Sequence, residues 1–254
     1  MATSQFVPRD GSAAGFTLIE LLVVVAIIAL LLGILLPAMS KAREVTTLTV
    51  CGSNMRQIGV GIAAYASEFG QIPSGPDVSA LAAVLEANDG TLATTQIWTG
   101  PQTPAQRTMA LGLLIDHTDF PPDSFYCPGD NSNDPVEELA HVSDKTLSPA
   151  FSSYWYRQLD QTDGRGRFGD LGTNELGFAA KAMALDMNST IDVVPDYFRT
   201  NHDAERINVL YSDGSVIALR NTNDAFTLRN QDLATTPQRR DEILQNADQP
   251  GRFR

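Results

Sequence analysis

From Leu21 to Leu36 the chain runs for 16 residues with no charge and a single glycine, Gly33. A stretch this apolar reads as a membrane-length helix. Counted from Phe16 to Met39, it spans about 36 Å at roughly 1.5 Å per residue, enough to cross a bilayer. Glu20 stands one turn into it. An unpaired carboxylate at that depth costs roughly 2.5 to 3.5 kcal/mol on insertion scales, so Glu20 calls for a charge partner unless it sits at headgroup level.

Two ordinary readings compete for this segment. A secretory signal needs a basic leader, an apolar core of about 7 to 15 residues and a small-residue cleavage site. Ala38-Met39-Ser40 supplies such a site, but the leader holds only Arg9, cancelled by Asp10, and the core is slightly long. A plain single-pass anchor is the other reading. Lys41 and Arg43 lie just beyond the helix, so the positive-inside tendency gives no support to export of the C-terminal part of the chain.

The helix is expected to continue well past the apolar run. Val45, Leu48, Cys51, Met55, Ile58, Ile62, Tyr65 and Phe69 recur at alternating three- and four-residue intervals after the first, which is one helical stripe. The spacing predicts a helix from Phe16 to about Glu68 whose second half backs a sheet, ended by Gly70 and Pro73. Gly33, Pro37, Gly52, Gly59 and Gly61 predict bends or local melting along it.

Helices are then expected over Val78 to Ala87, from Thr103-Pro104 to Ile115 and from Asp134-Pro135 to His141, each with a capping residue or proline at its start. Strand patterns cover Phe151 to Gln158, Gly177 to Leu185, Ile207 to Ser212 and Ser215 to Arg220, with Asp213-Gly214 as a hairpin turn. A last amphipathic helix runs from Thr236-Pro237 to about Gln245, and the polar segment from Asn246 reads as loose. The fold class is therefore α+β: a long N-terminal helix on an antiparallel sheet, with short helical insertions.

With 254 residues, 43% of them hydrophobic and 19% charged, the chain can hold an anchor helix and one globular domain with a core of its own. Its net charge of −12 argues against a phosphate-backbone ligand, which needs clustered Lys and Arg. No nucleic-acid partner is expected.

Gly15-Phe16-Thr17-Leu18-Ile19-Glu20, together with the apolar run, resembles the processing site of type IV prepilins and type II secretion pseudopilins. The resemblance implies a leader over residues 1–15, an assembly helix over 16–39 and an extracytoplasmic pilin-like domain over 40–254. It implies cleavage between Gly15 and Phe16 by a prepilin peptidase and N-methylation of Phe16. Glu20 and Pro37 occupy positions that carry those residues in many pilins, and Glu20 would pair with an N-terminal ammonium, its own or a neighbouring subunit's. Partners implied are the peptidase, other pilin or pseudopilin subunits and an inner-membrane assembly platform. The implied location is the inner membrane, single-pass, with the domain periplasmic.

Further segments are similar to bacterial pilin-like and type II secretion G-like proteins. They are Cys51 with Asn54 to Gly59, then Gly70 to Pro73, Phe125 to Asp130, and His202 followed by Asn208 to Val216. The domain of that group has no defined activity. One departure stands out: the residues after the histidine are glycine-rich in the common pattern, whereas here they are Asp203-Ala204-Glu205-Arg206.

An extracytoplasmic domain permits a disulfide, and the chain has two cysteines, Cys51 and Cys127. A bridge would close 76 residues and stabilise by about 4 kcal/mol in the chain-entropy account. Two separately buried thiols are the alternative. Major pseudopilins bind calcium through loop oxygens, and that resemblance points to Asp186, Asn188 and Asp213, although no EF-hand pattern accompanies them.

No other cofactor or metal is expected, since His117, His141 and His202 share no ligand spacing and no nucleophilic triad is legible. His202, Asp213 and Asp186 are the acid and histidine residues that could meet in space, with a turn-forming Asp213 and a strand-capping His202 as the plainer account. Gly164 to Gly169 spells G-x-G-x-x-G without a following helix to hold phosphate. Trp98 and Tyr154-Trp155-Tyr156 read as core.

The sequence thus describes a structural, non-enzymatic subunit of a pseudopilus or pilus-like filament. The alternative is a membrane-anchored binding module that uses a prepilin signal, with residues 74–145 as its contact surface.

Overall fold

The structure, a computed structural model, describes residues 17–74, 95–98, 108–130, 132, 134–144, 150–157, 166–174, 176–190 and 198–253. The chain divides into two compact units between Arg43 and Glu44. The long helix expected from the sequence is present as α1, Leu18–Phe69, with Pro37 inside it.

In the first unit every residue of α1 is exposed. α1 is also the one described helix long and apolar enough to cross a membrane by length and composition. Pro37 has no N–H to donate, so the Gly33 carbonyl one turn earlier loses its usual intrahelical donor.

In the second unit α1 turns one face to the core. Cys51, Met55, Ile58 and Ile62 are fully buried, as the stripe predicts, but Val45 and Phe69 at its ends are exposed. The glycines act differently from the expected bends. A Cβ on Gly59 would lie 3.0 Å from Leu210 Cδ1, and one on Gly61 would lie 3.0 Å from Phe120 Cδ2. They let the helix approach its neighbours closely while remaining helical. Gly70, at φ +78°, ends α1 in the left-handed conformation, its N–H donating to the Ala66 carbonyl.

Eight strands are described: β1 (Gln96–Trp98), β2 (Ala150–Phe151), β3 (Tyr154–Tyr156), β4 (Ala182–Asp186), β5 (Asn188–Thr190), β6 (Phe198–Thr200), β7 (Arg206–Tyr211) and β8 (Val216–Arg220). The main sheet has the order β3-β4-β7-β8 and is antiparallel throughout. β1 pairs with β2, and β5 with β6. Short helices α2 (Leu113–His117) and α3 (Pro135–Asp144) precede the sheet, and α4 (Thr236–Ala247) comes after it.

Period-two alternation splits the sheet's side chains between two cores. Tyr154, Tyr156, Ala184 and Leu210 join the cluster containing Cys51, Met55, Ile58 and Ile62 of α1. Trp155, Leu185, Ile207 and Val209 point the other way, into a cluster with Ile243, Leu244 and Ala247 of α4. The register shift between Ala182 and Ala184 lets Met183 and Ala184 both face the α1 side.

Several expectations need correction. The strand expected over Phe151 to Gln158 breaks at Ser152-Ser153, where the Ser152 hydroxyl lies 3.0 Å from the Tyr154 carbonyl and 3.2 Å from the Thr95 carbonyl, its one proton going to either. The helix expected to begin at Thr103 is described only from Ala110, as a tight turn leading into α2, and the one over Val78 to Ala87 lies outside the described residues. The segment after Asn246 is integral to the fold. Asp248 is buried, the Phe253 carbonyl accepts from the Arg220 N–H, and the Phe253 ring packs edge-on against Phe226 at 4.8 Å.

Candidate functional site

Two places in the chain bear on function: the start of α1, and a buried cluster where α1 meets the sheet of the second unit. Gly15 and Phe16 lie outside the described residues. Thr17 caps the helix, and Glu20 is the third residue inside it. The Thr17 N–H and hydroxyl donate to Glu20 Oε2 at 2.9 and 2.7 Å, and the Glu20 N–H donates back to Thr17 Oγ1 at 3.2 Å. This reciprocal pair is a capping box, which satisfies two otherwise orphaned N–H groups. Glu20 therefore has local hydrogen-bond partners, a role not read from the sequence although Thr-x-x-Glu before an apolar run signals it. Its charge still lacks a cation in this contact.

The buried cluster draws on four distant segments. Cys51 comes from α1, Cys127 from the turn after Phe125, Asp186 from the end of β4, and His202 from the turn between β6 and β7. One sulfur, nitrogen or oxygen atom from each lies within 4.8 Å of the others, and all four residues are buried. The Cys51 S–H donates to Asp186 Oδ1 at 2.9 Å. His202 Nε2 lies 3.4 Å from Asp186 Oδ2 and 3.4 Å from Cys127 Sγ. Both cysteines are free thiols, so the expected bridge is not present, although the two sulfurs lie within 4.8 Å of each other.

A ring of donors supports these four groups. The Asn208 N–H donates to Asp186 Oδ2 at 2.6 Å, and Asn201 Nδ2 donates to Asp186 Oδ1 at 3.1 Å while also reaching the Ser153 carbonyl. The Gly129 N–H donates to Cys127 Sγ at 3.3 Å. Gly129 also leaves the space that His202 fills, since a Cβ there would lie 2.9 Å from His202 Nδ1. The Tyr154 hydroxyl is 3.5 Å from Cys51 Sγ.

Burial pushes the Cys51 thiol well above its usual value, reinforced by its contact with Cys127 and by the Asp186 carboxylate. For His202, burial works against the charged form. Hydrogen bonds to Asp186 and Cys51 outweigh it and hold the imidazolium up to about 10. Without another cation, burial thus favours the neutral form of Cys51, and the contact with Asp186 favours the charged form of His202.

The backbone that presents His202 is unusual. His202, Asp203 and Ala204 lie at φ 52°, 53° and 58°, three consecutive non-glycine residues in the left-handed region. Such a conformation costs roughly 1 to 2 kcal/mol per L-residue, and strain of this kind concentrates at functional sites. The glycine-rich pattern noted after the histidine in similar proteins is what this geometry favours. Here Asp203 and Ala204 adopt it without that relief.

The structure brings together Asp186 and His202 but leaves Asp213 apart. Ala182, four residues before Asp186, pairs with Tyr211, so Asp213 lies beyond the opposite end of β4, which is itself about 13 Å from Asp186 along the strand at roughly 3.3 Å per residue. Asp213 is exposed in the β7–β8 turn, where the Ser215 hydroxyl and N–H hold its carboxyl below the usual value. The three residues considered for calcium are not gathered in one loop. Asp186 and Asn188 are buried, and Asn188 Oδ1 accepts from the Asn201 N–H at 2.9 Å, so neither shares a loop with Asp213.

The other candidates fall into structural places. His117 packs edge-on against Tyr65 and Phe69, and Trp98, Trp155, Tyr154 and Tyr156 are core. Of the glycine motif, Gly166 to Gly169 are described, and Gly166 leads into a turn closed by the Arg167–Asp170 bridge in place of a helix.

A family model described as the prokaryotic N-terminal methylation motif matches residues 11–36. No curated protein and no solved structure gives a significant match to the chain.

Proposed function

We propose that this chain, pilin-like by its N-terminal methylation motif and its long apolar helix, is a structural subunit of a type II secretion pseudopilus or type IV pilus-like filament. The observation that carries the reading is the continuity of the motif with a helix whose apolar surface is exposed on all sides from Leu18 to Leu36. A helix apolar all round must be covered by lipid or by other apolar helices. A filament core offers the second after the first. A prepilin peptidase cuts between Gly15 and Phe16 and the new terminus is methylated, the anchor holds the chain in the inner membrane with its domain periplasmic, and neighbouring subunits then pack α1 against α1.

Cleavage would place the Phe16 ammonium directly beside the capping box. Glu20 could then engage that ammonium or a neighbour's while Thr17 holds its carboxylate in place. Mass spectrometry of the mature N-terminus tests the processing step: methylated Phe16 is expected, and an N-terminus at Lys41 would mean ordinary secretion. Glu20→Gln tests the assembly step, because glutamine preserves a capping box but carries no charge. The variant is expected to accumulate in the membrane, correctly processed, and to be lost from filament preparations. Incorporation equal to wild type would show that no charge pair is needed.

A further inference from the structure

We infer that Cys51, Cys127, Asp186 and His202 form a structural zinc site. The donor set is the first reason. Two thiolates, one imidazole nitrogen and one carboxylate oxygen suit zinc, which prefers four such ligands in a tetrahedron. The distances are the second. Zinc at about 2.3 Å from sulfur and about 2.0 to 2.2 Å from nitrogen and oxygen places tetrahedral ligands about 3.4 to 3.8 Å from one another. Cys127 Sγ lies 3.4 Å from His202 Nε2, His202 Nε2 lies 3.4 Å from Asp186 Oδ2, and Cys51 Sγ lies 2.9 Å from the other carboxylate oxygen, Asp186 Oδ1. All four donor atoms lie within 4.8 Å of one another, so a central ion needs shifts of about 1 Å or less, with Cys51 and Asp186 opening and any wider pair closing.

The surroundings are the third reason. A metal-bound thiolate and carboxylate are stabilised by N–H donors around them. Gly129 supplies one to Cys127 Sγ, and Asn201 and Asn208 supply two to Asp186. All four ligands come from the protein and all are buried, which leaves no open position for a substrate and makes the site structural rather than catalytic. The strained turn at His202 to Ala204 then has a purpose, since it aims Nε2 at the other three donors. No two of the four residues are near in sequence, so the ion would tie α1 to β4, to the Cys127 turn and to the His202 turn together.

Full-length protein purified in detergent under reducing conditions, stripped with a chelator and titrated with cobalt(II), provides the test. The expected result is one cobalt per chain with an ultraviolet thiolate-to-cobalt charge-transfer band and the strong visible absorption of a tetrahedral ion. Zinc(II) displaces it stoichiometrically, and the thermal unfolding midpoint rises when zinc is bound. Cys51→Ser, Cys127→Ser and His202→Ala each weaken binding at least 100-fold, whereas Tyr154→Phe, beside Cys51 but not a ligand, keeps the spectrum. A folded, reduced wild-type protein that retains no cobalt, or binds it without the charge-transfer band, overturns the site. So does a Cys51–Cys127 disulfide in protein isolated from cells without reductant. Should a variant fail to fold, the wild-type spectrum decides alone, because the band reports thiolate ligation directly. None of these outcomes depends on whether the chain assembles into filaments.

Discussion

Ala204 illustrates how a single residue can record a cost that the fold accepts. It sits at φ 58° with its N–H donating to the Asn201 carbonyl, a geometry glycine adopts freely. Ala204→Gly is therefore expected to stabilise the domain by about 1 kcal/mol, read as a shift in denaturation midpoint at constant slope. Asp248 is the opposite case. Its two oxygens accept from Arg157 Nη2 at 2.9 Å, Asn174 Nδ2 at 3.1 Å and the N–H groups of Lys181 and Ala182 at 2.7 and 2.9 Å. Both members of the Arg157–Asp248 pair are about 1% exposed. Asp248→Ala leaves a buried guanidinium without its counter-charge, its Nη2 keeping the Leu244 carbonyl, and two strand-edge N–H groups without their acceptor, and a loss of about 3 to 5 kcal/mol is expected on chemical denaturation. Nothing in the local sequence marks Asp248, which lies in a stretch that reads as a polar tail.

At the level of elements, close approach decides which glycines are indispensable. Gly112 has an ordinary helical φ of −61°, so its backbone would accept alanine. The neighbouring strand would not: a Cβ there would lie 2.0 Å from the Ile97 carbonyl oxygen, a backbone atom that cannot swing away. Gly112→Ala is expected to cost about 1 to 3 kcal/mol by forcing β1 away from the turn ahead of α2. Gly61→Ala should cost less. Its Cβ would meet ring and methyl atoms of Phe120 and Leu114, which can shift, and alanine recovers about 1 kcal/mol of helix propensity. Equal losses for the two variants in urea unfolding would contradict this account. From the sequence the glycines of α1 suggest melting, because propensity sees only the helix itself. Their use as contact points depends on what lies opposite.

Across the molecule, the division between Arg43 and Glu44 separates two kinds of stability. The buried clusters of the second unit begin at Cys51 and draw nothing from residues before Glu44. Deleting residues 1–43 is thus expected to leave a monomeric domain, soluble without detergent, with a single cooperative urea transition. Aggregation, or a broad non-cooperative transition by circular dichroism, would contradict it. Much of this organisation was legible in the sequence. The apolar run, the stripe from Cys51 to Ile62 and the Asp213-Gly214 hairpin are set by local periodicity and turn chemistry, which depend on neighbours a few residues apart. Such local signals were enough for the methylation motif, the long helix and the α+β class. They offered Cys51 with Cys127, and His202 with Asp186, as separate options, but were silent on the joining of the two pairs in one cluster, on the separation of Asp213 from it, and on the buried ion pair that Asp248 closes. Most of these groups lie far apart in the sequence, and no periodicity links them. They meet because β4 and β7 pair in one register and α1 lies close enough for its glycines to touch the sheet.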